Sequence, residues 1–260
     1  MKATLITGAS GGIGEAFARQ LAAEKHNLVL AARSENKLHE LCDELMIEHQ
    51  ITAHYVALDL TAPEAEARLF AETEKAGFEI DWLINNAGFG SMGDFSELKI
   101  ESELAMINLN IAALVALTHR YLGQMRVRKS GVIINVASTA GFQPIPFMAT
   151  YAATKAFVTS FSEAIAAENR PHNIIVTALC PGPTDTNFFA VAGAEAFQMK
   201  GMQTPAEVVA TALSAVKNGK SSVVSGWANY AFSVLGTLAP NFLVTRAIAS
   251  ALRPKVTAKK

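Results

Sequence analysis

The sequence predicts an α/β fold, a doubly wound parallel sheet with helices on both faces. Three observations predict it. Seven short β-branched and apolar runs recur, at 4–6, 28–30, 55–57, 82–84, 132–134, 174–176 and 223–224. They are continuously apolar rather than alternating, as in strands covered on both faces. Segments of helical period separate them, and the first strand runs straight into a glycine-rich turn.

The first strand is Thr4-Leu5-Ile6, followed by Thr7-Gly8-Ala9-Ser10-Gly11-Gly12-Ile13-Gly14. The next helix places Ile13, Phe17 and Leu21 on one face, and the one after strand two does the same with Leu38, Leu41 and Leu45. Thr61 with Glu64 and Thr204 with Glu207 have capping-box spacing, the second with Pro205 at the first helical position and Gly219 past the end. No linker, repeat or low-complexity block interrupts 1–260, so one domain is expected. The irregular stretch 181–203 is long for a connection, and 187–203 is expected to act as a lid. The segment 227–245 carries no charge and has about the length of a membrane span. Asn229, Gly236, Pro240 and Asn241 instead favour a pair of short packed helices within an apolar segment at about 227–252.

Composition removes several functions. The 260 residues hold 22 Lys and Arg against 23 Asp and Glu, and half are apolar, which excludes a disordered chain. Near-neutral charge leaves no electrostatic footprint for nucleic acid. Cys42 and Cys180 suggest no disulfide scaffold, and no CxxC or HExxH points to a metal. The N-terminal apolar run is too short for a secretion signal, so a cytoplasmic protein is expected.

The glycine turn carries the first chemistry. Glycines let the backbone turn sharply and let a phosphate approach without meeting a Cβ. The free N–H groups and positive dipole end of the next helix attract the anion. The pattern is TGxxxGxG through Gly8, Gly12 and Gly14, not GxGxxG. With Asn85-Asn86-Ala87-Gly88, Ser138 followed by Tyr151-Ala152-Ala153-Thr154-Lys155, and Cys180-Pro181-Gly182-Pro183-Thr184, it occurs in an order that resembles the short-chain dehydrogenase/reductase family. The resemblance covers residues 3 to about 190. It implies a Rossmann-like domain of strand order 3-2-1-4-5-6-7 that uses a nicotinamide cofactor to move a hydride to or from a carbonyl or alcohol.

Cofactor contacts are expected from Gly8, Ser10, Gly11, Gly12, Ile13 and Gly14 around the pyrophosphate. Arg33 closes strand two, 19 residues after Gly14, where an acidic residue would bond the 2′-hydroxyl of NAD. A guanidinium there suits the 2′-phosphate of NADP, with Ser34 and Lys37 beside it. Glu35 argues the other way, and the family's second basic position is Gly11. NADP(H) is favoured, with NAD(H) as the alternative. The resemblance assigns Asp59 and Leu60, read as the end of strand three, to the adenine; Asp59 has the bland alternative of starting the turn before Thr61. Asn86, Ala87 and Gly88, read as the end of strand four, would line the cofactor. Pro181 and Gly182 would lie beside the nicotinamide, with Thr184 and Thr186 on its carboxamide or the phosphates.

Tyr151 is the candidate acid–base group. To act as a base near neutrality, a phenol of pKa ~10 needs a depression of ~3 units, or ~4 kcal/mol. Lys155, one helical turn on, is placed to supply most of it, since a nearby cation shifts a pKa by ~1–3 units. The resemblance also puts Lys155 on the nicotinamide ribose. Ser138 ends a strand 13 residues before Tyr151 and can hydrogen-bond the substrate oxygen; Thr139 is a weaker substitute. Asn110 matches the family's asparagine, which holds a water joining the lysine to solvent, and Asn108 is its rival.

Phe188, Phe189, Val191, Phe197, Met199 and Met202 in the lid, Phe142, Ile145, Phe147 and Met148 before Tyr151, and Phe89, Met92 and Phe95 after Gly88 converge on one mouth in such a fold. This apolar wall suits an apolar or aromatic carbonyl or alcohol. A nucleotide-binding regulator without turnover and a membrane-associated lipid or sterol-type reductase are the competing readings. Apolar residues on the helices at about 101–126 and 151–168 point to a homodimer or homotetramer. Membrane contact is not expected, and the C-terminal segment is expected to cap the mouth or cover a partner subunit.

Overall fold

The structure, a computed structural model, describes residues 1–194 and 201–257, with side chains of the final helix described as far as 253. In chain order the elements are β1 (Lys2–Thr7), α1 (Gly12–Ala23), β2 (Leu28–Ala32), α2 (Glu35–His49), β3 (Ala53–Ala57), α3 (Ala65–Lys75) and β4 (Glu79–Asn85). Then come α4 (Ile100–Ile107), a π-helical turn (Asn108–Ala113), α5 (Leu114–Arg128), β5 (Gly131–Val136), a 3-10 turn (Thr139–Phe142) and α6 (Ala149–Asn169). β6 (Ile174–Cys180), α7 (Phe188–Val191), α8 (Pro205–Lys217), β7 (Ser222–Val224), α9 (Trp227–Leu238) and α10 (Asn241–Thr257) complete the chain.

All neighbouring strands pair in parallel, in the order β3-β2-β1-β4-β5-β6-β7. The order reverses between β1 and β4, which opens a crevice at their C-terminal ends, where such sheets bind ligands. The expected helix faces form. Phe17, Leu21, Leu38, Leu41 and Leu45 are buried against one side of the sheet together with Val208, Ala212 and Val216 of α8. Leu69, Leu117, Tyr121, Met125 and Ile165 of α3, α5 and α6 cover the other side. The edge strand β3 departs from the expectation of full coverage, since its residues are only half-buried apart from the exposed Ala57.

Three local expectations need correction. The Thr61–Glu64 capping box does not form. Thr61 gives its backbone N–H and hydroxyl to Asp59 Oδ1, at 2.8 and 2.7 Å, and α3 starts only after Glu64, whose φ is +56°. A carboxylate two residues upstream makes an Asx turn that outcompetes the helix cap. Asp59 and Leu60 lie beyond β3, which ends at Ala57, and 86–88 follow β4 rather than closing it. The box of Thr204 and Glu207 does form, with Thr204 accepting from Glu207 N at 3.3 Å and donating to Glu207 Oε2 at 2.9 Å.

The continuous helical run Ile100–Arg128 is long and apolar enough to cross a membrane, but α5 within it packs on β4 and β5 as a core helix. The expected C-terminal helices appear, separated at Ala239-Pro240. Within the expected lid, residues 195–200, including Phe197 and Met199, lie outside the described residues.

Candidate active site

The glycine turn is built by close packing. Gly8 and Gly12 hold φ of +66° and +58°, where a Cβ is strained. Gly14 sits against the Gly8 carbonyl and Asn86, leaving no room for a side chain. Thr7 is the hub. Its hydroxyl accepts from the N–H groups of Asn86 and Ala87, both at 3.0 Å, and reaches the Ile84 carbonyl at 3.3 Å. Asn86 Nδ2 returns bonds to the Thr7 and Gly8 carbonyls at 2.9 and 3.2 Å. The ends of β1 and β4 are thus tied together across the crevice.

This leaves the N–H groups of Gly12, Ile13 and Gly14 in the first turn of α1, where no intrahelical carbonyl can reach them. Gly11, at φ 169°, has no described atom within 4 Å of where a Cβ would stand. An open glycine beside free helix N–H groups fits a diphosphate. Ser10 is half-buried in the same turn, while Ile13 turns toward the core. Thr186 comes in from above, its methyl 3.1 Å from the Cβ position of Gly12.

At the end of β2, Arg33, Ser34 and Lys37 are exposed together. Arg33 has no hydrogen bond or ion pair among the described residues, and Ser34 caps α2 without a side-chain bond. Across from them Asp59 holds its turn through Oδ1, and those two hydrogen bonds keep its carboxyl below the usual range, with Arg33 adding to the effect. Both of these bonds use Oδ1, so the turn-starting role of Asp59 is the one its hydrogen bonds show. Leu60 packs beside it on the core.

Ser138, Tyr151, Lys155 and Asn110 meet at the C-terminal ends of β4 and β5. Tyr151 and Lys155 share one face of α6 and are both buried, at 8% and 6% exposure. Ser138 lies beside the Tyr151 phenol, and its Oγ accepts from Ala140 N at 3.1 Å and is thereby aimed. Lys155 Nζ donates to the Val136 carbonyl at 2.8 Å and lies 5.8 Å from the Tyr151 ring centroid. Thr139 spends its N–H on the Pro181 carbonyl at 2.9 Å.

The expected phenol depression is not what these side chains give by themselves. Burial pushes the Tyr151 phenol up to about 12, with the Ser138 hydrogen bond acting against it. Burial also pushes the Lys155 ammonium down to about 8. Desolvation penalises both charged forms and is the leading cause of each shift.

Asn110 lies in the π-helical turn and is buried, whereas Asn108 is exposed. That turn, a type common at functional sites, rotates Asn110 inward. Its Oδ1 accepts from Phe89 N at 3.1 Å, and its Nδ2 donates to Phe89 O and Thr154 Oγ1 at 3.0 and 3.1 Å. Thr154 Oγ1 donates in turn to the Tyr151 carbonyl at 2.8 Å. Asn110 thus positions the 88–89 backbone and the start of α6. A Cβ at Gly88 would stand 2.8 Å from Asn110 Oδ1 and 3.6 Å from Lys155 Nζ, which places that glycine between the two.

Thr7, Thr154 and Gly141 escape sequence reasoning as site residues. A Cβ at Gly141 would sit 2.7 Å from the backbone of Lys155, so this glycine lets the Ser138 turn lie directly on α6. Pro181 and Gly182 follow β6, and Thr184 spends its hydroxyl on the Gly182 carbonyl at 2.9 Å. Phe188 of α7 lies with its ring centroid 5.2 Å from that of Tyr151, and Gly90 makes room for both rings. Nearby, Gln143, Pro144, Ile145, Pro146 and the alanines of the first turn of α6 line a cavity of about 410 Å³ that reaches Thr245 of α10. Among the described residues no cluster of His, Cys, Asp and Glu could hold a metal ion.

The comparisons with known proteins agree with this geometry. A family model described as short chain dehydrogenase matches residues 2–196. A 7beta-hydroxysteroid dehydrogenase of Mediterraneibacter gnavus is 35% identical over 233 residues, covering 87% of each chain. A short-chain dehydrogenase from Sphingobium yanoikuyae, solved in complex with NADPH, superposes with a TM-score of 0.82 at 32% identity over 87% of this chain and 89% of that one. A solved 7beta-hydroxysteroid dehydrogenase gives a TM-score of 0.85 at 29% identity, over 95% and 96% of the two chains. The family match spans all four motifs and the first six strands, and the chain belongs to the short-chain dehydrogenase/reductase family.

Proposed function

We propose that this chain is an NADP(H)-dependent oxidoreductase that reduces an apolar or aromatic carbonyl compound. The observation that carries the reading is the joined Ser138, Tyr151 and Lys155 group at the end of the crevice that begins at the glycine turn. Bound there, the nicotinamide supplies the hydride. Ser138 and Tyr151 hold the substrate oxygen, and Tyr151 gives it a proton. A phenol raised to about 12 stays protonated at neutral pH, yet an alkoxide is far more basic and takes the proton readily. The protonated phenol is the form that carbonyl reduction uses. Lys155 keeps a positive charge beside the phenol and the ribose, and Asn110 fixes the 88–89 backbone that faces it. The apolar surface from Phe188, Phe142 and Ile145 supports a bulky apolar substrate, as does the relative that is a hydroxysteroid dehydrogenase. NADPH consumption over a panel of ketones, aldehydes and quinones tests the reading. Tight NADPH binding with no turnover would favour a regulator instead.

The proposal extends to residues 1–260 as one domain, to a cytoplasmic enzyme, and to a homodimer or homotetramer built on α4 to α6. Ile100, Leu104, Ile107 and Phe157 remain exposed on those helices and need a partner.

Arg33 is the selector between cofactors. The Arg33→Asp variant is expected to lose at least ~10-fold in NADPH affinity, the order of a charge-assisted bidentate pair, and to gain relative affinity for NADH. Fluorescence titration of both cofactors checks this, and equal dissociation constants in the unaltered protein would reject the role.

The pH profile follows from Lys155. Its ammonium is lost in the folded protein as pH rises through about 8, while the unfolded chain keeps the proton to about 10.4. Turnover is expected to fall across that window. The unfolded chain binds the extra proton there, so this lysine's contribution to stability rises with pH over the same range. Turnover and melting temperature measured side by side check the opposite signs.

A further inference from the structure

The helix α9 and the first turn of α10 present an apolar face to solvent. In α9, Asn229, Ser233 and Gly236 turn toward the protein. Asn229 packs on Gly182 and bonds the Ser225 carbonyl at 2.7 Å, Ser233 is buried, and Gly236 packs on Gln143. The opposite arc holds Trp227, Tyr230, Phe232, Leu235 and Leu238, with Trp227, Phe232 and Leu238 exposed at 86, 74 and 78%. Phe242 and Leu243 continue this surface across Pro240 into α10, and both are exposed. A surface helix of a water-soluble domain carries the reverse arrangement.

Charge identifies the occupant. All 23 acidic residues precede residue 208, and 227–260 contains Arg246, Arg253, Lys255, Lys259 and Lys260 with no carboxylate side chain. Of these cations Arg246 stands exposed on α10, and a second copy laid hairpin to hairpin about a two-fold axis would set two segments of the same sign against each other. An anionic lipid surface answers both features, taking the aromatic and aliphatic side chains into the headgroup and acyl boundary, with Arg246 against the phosphates and the net positive charge of the segment favouring the approach.

We infer that the α9–α10 hairpin docks this enzyme reversibly on the surface of an anionic bilayer, with Trp227, Phe232 and Leu235 inserted. Pro240 divides the segment into two short helices, so it lies in the interface and does not span. The packing of Asn229 and Gly236 fixes the hairpin over the ends of β5 and β6, so the docked face adjoins the substrate mouth. The inference does not depend on which carbonyl is reduced.

The test is sedimentation of the full chain with vesicles, read together with tryptophan emission. Trp82 and Trp227 are the two tryptophans, and Trp82→Phe leaves Trp227 as the reporter. Phosphatidylcholine–phosphatidylglycerol vesicles are expected to carry the protein down and shift its emission to the blue, whereas phosphatidylcholine alone binds it weakly and added salt releases it. Trp227→Ser with Phe232→Ser and Leu235→Ser, at exposed positions that leave the fold intact by melting temperature, is expected to cost at least ~10-fold in vesicle affinity. Arg246→Glu should weaken binding to the anionic vesicles only. The inference is overturned if the anionic vesicles leave the protein in the supernatant, or if the triple variant binds them equally. It is also overturned if the triple variant halves the mass in light scattering while no vesicle binding is seen, because the face then covers a second copy.

Discussion

Tyr151→Phe is expected to lower the turnover of carbonyl reduction at least ~100-fold, the lower end of what a positioned general acid contributes. The variant keeps the ring, and with it the packing against Phe188 at 5.2 Å, and loses only the hydroxyl beside Ser138. Cofactor affinity should stay close to that of the unaltered protein, because the phenol stands at the Ser138 and Lys155 end of the crevice, away from the glycine turn that would hold the phosphates. Ser138→Ala should lose less, since the acid remains and only its hydrogen-bonding partner at the substrate oxygen is removed. Steady-state rates with NADPH in excess, alongside a direct titration of NADPH, separate chemistry from binding. Near-normal turnover in the Tyr151→Phe variant would remove the proposed acid.

The parts of this site that lie close in sequence are legible there. The glycine spacing of 8, 12 and 14 and the one-turn separation of Tyr151 and Lys155 express local geometry, and the fold realises both; Ser138, expected at a strand end, instead caps the 3-10 turn two residues past β5. The parts that depend on distant neighbours are not legible. The role of Thr7 arises because β4 runs beside β1, which brings a hydroxyl to N–H groups 79 and 80 residues away. The cap that fails at Thr61 is decided by Asp59, a choice between two local hydrogen bonds that spacing does not rank. The protonation of Tyr151 escapes the sequence for a different reason. Spacing gives the approach of a cation but not the burial of both groups, and burial sets the larger effect. In α9 the apolar segment reads correctly as a helix, but the sequence alone does not say which face turns inward.

Gly14→Ala is expected to have the second large effect, on the fold of the cofactor turn itself. A Cβ at residue 14 would collide with the Gly8 carbonyl oxygen, stand 2.9 Å from the Gly8 carbonyl carbon and 2.6 Å from Asn86 Nδ2. Two of these three atoms are backbone and cannot swing aside. Overpacking of this kind typically costs ~1–3 kcal/mol, and here it falls on the turn that presents the N–H groups of α1. Relief requires Gly8 to move, which strains its φ of +66° and breaks the bonds from Asn86 to the Thr7 and Gly8 carbonyls. The expected result is a lower melting temperature together with at least a ~10-fold loss of NADPH affinity, the affinity change corresponding to ~1.4 kcal/mol. Gly11→Ala is the control. Its φ of 169° is open to any residue and no described atom lies within 4 Å of its Cβ position, so stability should hold within ~0.5 kcal/mol. Thermal melts of both variants, with cofactor titration, distinguish a glycine required by packing from one required by neither packing nor backbone. A Gly14→Ala protein that melts and binds like the unaltered chain would show that the turn relaxes around a side chain, against the close approach seen at Gly8.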